Sequence, residues 1–167
     1  MVRAVITLLT MVCSLSLVGF QKTKMPTRAS GFVIFRILKG QVEYLLLQAS
    51  NGAHHWTPPK GHVDPGEDDM TTALRETQEE AGFQPSQLNV VDGFVREISY
   101  IAWGKPKVTA YYLAELIEKE APVTLSHEHT DWKWAPIEDA CRLSGYREMQ
   151  EILQQAHSFI QERKSAS

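Results

Sequence analysis

The stretch GHVDPGEDDMTTALRETQEEAGF, residues 61–83, decides the fold of this 167-residue chain. It combines a loop that contains Pro and Gly with a run of strong helix formers and a cluster of carboxylates. Five of its charged residues and two of its glycines fall at characteristic offsets, namely Gly61, Glu67, Arg75, Glu76, Glu79, Glu80 and Gly82. So many spaced positions over so short a span are specific enough to carry a functional argument.

The second half of this stretch predicts a helix over residues 71–81, because it contains good helix formers and no Pro or Gly. Gly82 fits a left-handed cap at the end of the helix, with Phe83 as the packing residue beyond it. Asp68 and Asp69 stand where acids favour a helix N-terminus. At helical spacing the apolar residues share one side, which is formed by Met70, Ala73, Leu74, Thr77 and Ala81.

Glu76, Glu79 and Glu80 are predicted on the opposite side of this helix, within roughly a quarter to a third of its circumference. Like charges at this spacing destabilise a helix, and a hard divalent cation removes the conflict. Carboxylate oxygens suit Mg²⁺ or Mn²⁺, with phosphate oxygens and water completing an octahedron. A solvated acidic face is the simpler alternative, but it does not explain the glycines and Arg75 at their offsets. We therefore predict a metal site.

The pattern as a whole resembles the Nudix box, the signature of hydrolases that cleave nucleoside diphosphates linked to another group. Every charged and glycine position is filled, and one position departs, since Thr77 stands where an aliphatic residue is usual. The resemblance implies structural roles for Gly61, Glu67, Arg75 and Gly82. We expect Arg75 to pair with a carboxylate such as Glu67 and to orient the loop against the helix.

The rest of the chain predicts an α+β fold, an α/β/α sandwich with a mixed β-sheet, which is also the fold that the Nudix resemblance implies. Strands are expected over residues 31–37, 43–48, 88–100, 107–116 and 131–134, with a turn at Lys39-Gly40 and a rigid loop over residues 56–61. Pro136 opens a helical turn. A last helix starts near Tyr146, with an apolar stripe of Met149, Ile152, Leu153, Ala156, Phe159 and Ile160.

The length of 167 residues fits a single domain with a proper core. The net charge of −3 at pH 7 gives no reason to expect broad affinity for nucleic acids or membranes. We therefore expect no stable nucleic-acid complex, and a monomer is the simple default. Cys13 and Cys141 lie in separate segments, so neither a disulfide framework nor a cysteine-based metal site is implied.

The N-terminal segment is apolar over residues 4–20 and resembles a signal peptide or a membrane anchor slightly short for a full span. Alternatively, Met25 is a start site, because the globular pattern begins just after it. We favour a dispensable leader over residues 1–24 before a Nudix domain over residues 25–167. This predicts a cytoplasmic protein, with the nucleus as a second location, and a secreted or membrane-anchored one if the leader acts as a signal.

The resemblance extends beyond the box to the sequences LLLQAS at 45–50, HHWTPPKGH at 54–62, KPK at 105–107 and LSHEH at 125–129. Together these resemble the animal-type asymmetrical diadenosine tetraphosphate (Ap4A) hydrolases of the Nudix family, from about Ala29 to Phe159. The resemblance implies metal-dependent cleavage of Ap4A, a small dinucleoside polyphosphate, into ATP and AMP.

Several residues outside the helix are candidates for the same site. Lys60 and His62 flank Gly61, and a cation and an imidazole there can meet phosphate oxygens. The resemblance implies that Glu128 is a further metal ligand or the general base, and the sequence does not choose between Glu79 and Glu128 as the base. It also implies adenine stacking by Tyr100 and Tyr146, and Lys105 and Lys107 are candidate phosphate clamps.

Each candidate has a plainer interpretation, since His62 could be structural, Glu128 a surface acid, the tyrosines core residues and the lysines idle. Two functional alternatives also stay open. One is a Nudix pyrophosphohydrolase of another nucleotide or of nucleotide-capped RNA 5′ ends. The other is a nucleotide-binding module that has lost catalysis, although no glutamate of the box is missing.

Overall fold

The computed structural model describes residues 26–102 and 104–166, so the predicted leader over residues 1–24 lies outside the described residues. Seven strands and three α-helices follow one another along the chain. They are β1 (Thr27–Leu38), β2 (Gln41–Ala49), β3 (Trp56–Thr57), β4 (Lys60–His62), α1 (Asp69–Ala81), β5 (Leu88–Ala102), β6 (Lys105–Leu116), β7 (His129–Ala135), α2 (Ile137–Ser144) and α3 (Arg147–Ala166). None of the helices in the described part is long and apolar enough to cross a membrane.

The strands form one mixed sheet. Its central order is β3-β2-β1-β6-β5, with β4 paired to β1 and β7 paired to β2. The long pairing between β1 and β6 is parallel, whereas β1 pairs antiparallel with β2 and with β4. Residues 29–31 of β1 therefore hydrogen-bond with β4 on one side and with β6 on the other, and this junction places the predicted site.

The two faces of the sheet bury separate apolar clusters, because successive side chains of a strand point to opposite faces. Phe32 and Ile34 of β1 pack on the face that carries α1, together with Ala73 and Ala81 of that helix. Val33, on the other face, packs in the cluster that contains Ala140 of α2 and Met149, Ile152, Leu153, Ala156 and Ile160 of α3. The predicted α/β/α sandwich is confirmed, and so is the apolar stripe of the last helix.

The turn between β1 and β2 follows from its two residues. Lys39 and Gly40 have φ values of 50° and 82°, and Leu38 pairs with Gln41 across them. Two successive positive φ values define a type I′ hairpin turn, whose twist matches that of the flanking strands.

The prediction of a rigid loop over residues 56–61 is wrong, because these residues contain β3 and most of β4. Both strands are too short to show an alternating pattern in the sequence, and β4 exists because Lys60, Gly61 and His62 pair with residues 29–31 of β1. The other strands begin or end a few residues beyond their predicted bounds. Lys105 and Pro106, expected in the turn between β5 and β6, belong to β6. Helix α3 begins at Arg147, next to its predicted start near Tyr146.

Candidate active site

Helix α1 begins two residues before its predicted start and is capped at both ends. The Asp68 side chain accepts a hydrogen bond of 2.7 Å from the backbone N–H of Thr71. Gly82 has a φ of 81°, and its N–H donates to the carbonyl of Gln78. The left-handed cap at Gly82 is as predicted, and Phe83 beyond it is buried. These caps fix where the helix presents its carboxylates.

Arg75 and Glu67 form the ion pair expected from the sequence. Arg75 Nε donates to Glu67 Oε1 and Arg75 Nη2 to Glu67 Oε2, both at 2.9 Å. Thr72 Oγ1 adds a hydrogen bond of 2.7 Å to Glu67. The Arg75 guanidinium and then the Thr72 hydroxyl lower the pKa of Glu67 to about 2. Glu67 is therefore a charged anchor between the loop and the helix.

The same guanidinium donates hydrogen bonds to three further groups. Arg75 Nη2 donates to the carbonyl of His62 at 2.9 Å, which ties β4 to the helix. Arg75 Nη1 donates to Glu76 at 2.8 Å and to Glu79 at 3.2 Å. One cation thus holds the loop, the short strand and two of the candidate metal-ligating carboxylates in a fixed arrangement.

The three helix glutamates differ strongly in exposure. The Glu79 side chain is 57% exposed, whereas Glu76 retains 13% and Glu80 only 6%. The prediction that all three lie opposite the apolar side is therefore wrong for Glu80, which turns toward β4 at the edge of the buried side. Its Oε2 accepts the backbone N–H of Lys60 at 2.8 Å. Burial raises the pKa of Glu80 to about 7 and also raises the pKa of Glu76.

Gly61 leaves room for the Glu76 carboxylate above β4. A Cβ built on Gly61 would lie 2.0 Å from Glu76 Cδ, with both carboxylate oxygens at 2.1 Å. No group of three His, Cys, Asp or Glu side chains in residues 26–102 and 104–166 is already arranged as a metal centre. Glu76 and Glu80 are nevertheless oxygen donors whose burial disfavours the charged form, and a bound cation would offset that cost. The donor set therefore fits a hard divalent cation.

The loop before β7 docks on the C-terminal end of α1 and carries Glu128. The backbone N–H of Thr124 donates to the carbonyl of Ala81 at 3.0 Å. The carbonyl of Glu128 accepts the N–H of Ser50 at 2.8 Å, and the Glu128 side chain is exposed. The negative charge of Glu128 adds to burial in raising the pKa of Glu80. The structure thus brings Glu128 near the helix glutamates, although the loop is distant from them in the sequence.

A pocket of about 180 Å³ opens beside β4. It is lined by His62, Lys105 and Lys107 together with Thr27 and Ala102. Burial, and then the positive charges of Lys107 and Lys60, lower the pKa of His62, which favours the neutral ring. The four basic residues predicted around the box therefore share one region.

The two tyrosines have different surroundings. Tyr100 is 38% exposed on β5 opposite Lys107, and its hydroxyl lies 3.3 Å from Thr109 Oγ1. Tyr146 is 53% exposed just before α3, and its ring meets the ring of His55 edge-on, with the centroids 6.0 Å apart. Both residues are partly exposed, as stacking on a base requires.

Two histidines that sequence reasoning missed lie among these residues. Burial, and then the charge of Lys60, lower the pKa of His55. The same two causes lower the pKa of His129 to about 4, and its Nε2 lies 3.8 Å from Glu80 Oε1. His55 lies within the segment HHWTPPKGH and His129 within LSHEH, so their signal in the sequence is membership of segments that carry the resemblance.

Comparison with known proteins gives concordant matches. The NUDIX domain model matches residues 27–156. A pig bis(5′-nucleosyl)-tetraphosphatase [asymmetrical] is 49% identical, covering 81% of this chain and 97% of the pig protein. The protein of the same name from Caenorhabditis elegans is 48% identical, covering 81% of this chain and 98% of the worm protein. The crystal structure of a C. elegans Ap4A hydrolase binary complex superposes with a TM-score of 0.78 at 48% identity, covering 80% of this chain and 97% of that one. The chain belongs to the Nudix family.

Proposed function

We propose that this chain hydrolyses diadenosine tetraphosphate asymmetrically, with ATP and AMP as products. The observation that carries the proposal is near-complete coverage of asymmetrical bis(5′-nucleosyl)-tetraphosphatases from pig and worm, at 49% and 48% identity respectively. The chemistry of the site agrees, because a carboxylate cluster lies beside a pocket lined by His62, Lys105 and Lys107. Phosphoanhydride cleavage requires such neutralisation of the substrate's negative charge.

Glu76, Glu79, Glu80 and Glu128 are the residues that would hold the divalent cation of this reaction, and Mg²⁺ or Mn²⁺ suits their oxygen atoms. Divalent-metal dependence is general in the Nudix family. When bound, such an ion neutralises phosphate charge and makes water more acidic. Gly61, Glu67, Arg75 and Gly82 act indirectly, since they set the shape of the loop and helix that carry the glutamates.

The basic residues would bind the polyphosphate. Lys60, Lys105 and Lys107 supply point charges, and the neutral His62 ring can donate or accept a hydrogen bond. Tyr100 and Tyr146 would stack on the adenine rings, each for about 1–3 kcal/mol per base. Together these contacts would hold the substrate with the phosphorus next to one adenosine toward the carboxylates.

A carboxylate must take a proton from the attacking water. Glu79 is the most exposed of the helix glutamates, and it accepts a hydrogen bond of 3.2 Å from Arg75. Glu128 is also exposed, on the docked loop. Either residue is chemically suited to the role, and general base catalysis by it would contribute about 10²–10⁴-fold to the rate.

The test is incubation of the purified full chain with Ap4A and Mg²⁺, followed by separation of the nucleotides. Equal amounts of ATP and AMP, abolished by EDTA and restored by added Mg²⁺, are expected. Two molecules of ADP would mean attack at the central bridge and would overturn the asymmetrical register. No product from Ap4A would overturn the proposed substrate and direct the search to other nucleotides.

A further inference from the structure

Ser126 forms hydrogen bonds with three residues of the site, Glu80, Glu128 and His129. Its backbone N–H donates to the carbonyl of Glu80 at 3.3 Å, and its own carbonyl accepts the N–H of His129 at 3.2 Å. Its hydroxyl oxygen accepts the backbone N–H of Glu128 at 3.3 Å. The loop that carries Glu128 is therefore fastened to the end of α1 through Ser126.

The Ser126 hydroxyl also faces His129, with Oγ 3.4 Å from Nδ1. One lone pair of the hydroxyl accepts the N–H of Glu128, and its hydrogen can point at Nδ1. A donor at Nδ1 places the imidazole hydrogen on Nε2 in the neutral ring. This nitrogen lies 3.8 Å from Glu80 Oε1, and the side chains of His129 and Glu80 are 5% and 6% exposed. The other oxygen of Glu80 is held by the N–H of Lys60.

A β-bulge explains why His129 can reach Glu80. The pairing of β7 with β2 shifts register between Gln48 and Ala49, so that β7 contains an extra residue near its start. In an unbroken strand His129 would share the sheet face of Ala135, which packs in the cluster of α2 and α3. Bulges re-aim side chains in this way and are frequent beside active sites. Here the His129 ring meets a carboxylate of α1.

We propose that Ser126 and His129 are positioning residues that orient the Glu80 carboxylate for the cation and tie it to the loop bearing Glu128. This inference rests on the proposed function, since it requires Glu80 to be a metal ligand. The 3.8 Å separation between His129 Nε2 and Glu80 Oε1 is too long for a hydrogen bond, so His129 would hold the Glu80 carboxylate by packing and by electrostatic attraction. Partners that orient metal ligands typically contribute about 10- to 100-fold to metal affinity.

The test uses the full chain and Mn²⁺ alone, with free Mn²⁺ measured by electron paramagnetic resonance without substrate. His129→Leu keeps much of the volume of the ring but removes the donor, and we expect the dissociation constant for Mn²⁺ to rise about 10- to 100-fold. His129→Gln keeps an N–H near the position of Nε2 and should bind within about threefold of the natural protein. Ser126→Ala removes only the hydroxyl and should weaken binding about 2- to 10-fold.

His127→Ala is the matched control, because this neighbour is exposed and should leave Mn²⁺ binding unchanged. Circular dichroism melting of each variant separates loss of fold from loss of the ion. Equal binding by His129→Leu and the natural protein would overturn the inference, as would equal weakening by His129→Leu and His129→Gln. If the natural protein binds no Mn²⁺, or if Glu80→Gln does not weaken binding, the metal centre of the proposed function is wrong and the inference falls with it. If His129→Leu does not fold, Ser126→Ala takes its place. Weaker Mn²⁺ binding by Ser126→Ala would then support the inference, and Mn²⁺ binding equal to that of the natural protein would overturn it.

Discussion

Gly61 and Glu76 depend on each other sterically, because the Glu76 carboxylate occupies the space that any side chain at residue 61 would need. A Cβ on Gly61 would lie 2.0 Å from Glu76 Cδ. The φ of Gly61 is not positive, so the backbone itself would accept another residue. The requirement for glycine here is therefore one of space, created by a carboxylate folded over a short strand.

Gly61→Ala should displace Glu76 or push β4 away from α1. We expect a loss of about 1–3 kcal/mol of stability, the usual cost of overpacking. Turnover of Ap4A should fall about a hundredfold, since misplacement by about 1 Å can have that effect. Melting curves and kcat measurements with Mg²⁺ would check both numbers.

Gly40→Ala is the control for that substitution. Gly40 lies in the β1–β2 hairpin with a φ of 82° and no atom within 4 Å of a built Cβ. It should lose stability through backbone strain, about 1–2 kcal/mol, while kcat stays near that of the natural protein. Normal kcat in Gly61→Ala would show that the glycine is not needed for the placement of Glu76.

Glu80→Gln and Glu79→Gln should each reduce turnover without destabilising the fold. The amide oxygen that Glu80→Gln introduces can still accept the Lys60 N–H, and the substitution removes a buried carboxylate whose pKa is raised to about 7. The melting temperature should therefore be unchanged or higher. Turnover should fall by at least about a hundredfold in each variant, measured as ATP released at saturating Mg²⁺. Near-normal turnover in both would contradict the assignment of these residues to the metal site.

Glu67→Gln should change how stability depends on pH. Hydrogen bonds from Arg75 and Thr72 lower the pKa of Glu67 to about 2 in the folded protein, from an ordinary value of 4.5. A lowered carboxyl pKa stabilises the fold above the unfolded value, and that contribution is lost as pH falls from about 4.5 to about 2. The stability difference between the natural protein and the variant should therefore be largest above about pH 5 and shrink toward about pH 2.

Urea unfolding of both proteins across the range from about pH 7 to about pH 3 measures this difference. Glu120→Gln is a matched control, since it makes the same chemical change at an exposed carboxylate outside the Arg75 cluster. A difference between the natural protein and Glu67→Gln that does not vary with pH would mean that the Arg75 pair is not the source of the stabilisation.

The local sequence is sufficient to predict most of α1, its C-terminal cap at Gly82 and the sandwich, because those features depend on helix periodicity, capping chemistry and strand alternation. The pair of Arg75 with Glu67 follows from the structural roles that the Nudix resemblance implies. It cannot predict the burial of Glu80. Helical spacing alone gives directions around an axis, whereas the exposure of Glu80 depends on β4, which lies across the helix only because β1 pairs with it.

His129 shows a second kind of limit. The segment LSHEH carries the resemblance and includes His129, but the resemblance implies a role for Glu128 and none for this histidine. Its direction is decided by a bulge in the pairing of β7 with β2. A one-residue shift in register reverses which face a side chain joins, and short flanking sequences do not encode that shift visibly. The contact with Glu80 therefore becomes visible only in three dimensions.

Lys107→Met should test the phosphate pocket. Lys107 is only 9% exposed, lines the pocket with His62 and Lys105, and contributes to the lowered pKa of His62. Clustered positive charge in a half-enclosed pocket is unfavourable until an anion arrives, so its main effect should be on binding. We expect KM for Ap4A to rise about tenfold with a smaller change in kcat, and KM to become less sensitive to salt.

Lys164→Met is the control, because Lys164 lies in the last turn of α3, and this variant should leave KM unchanged. A variant at Lys107 with natural KM at low and high salt would exclude a contact between this lysine and the polyphosphate.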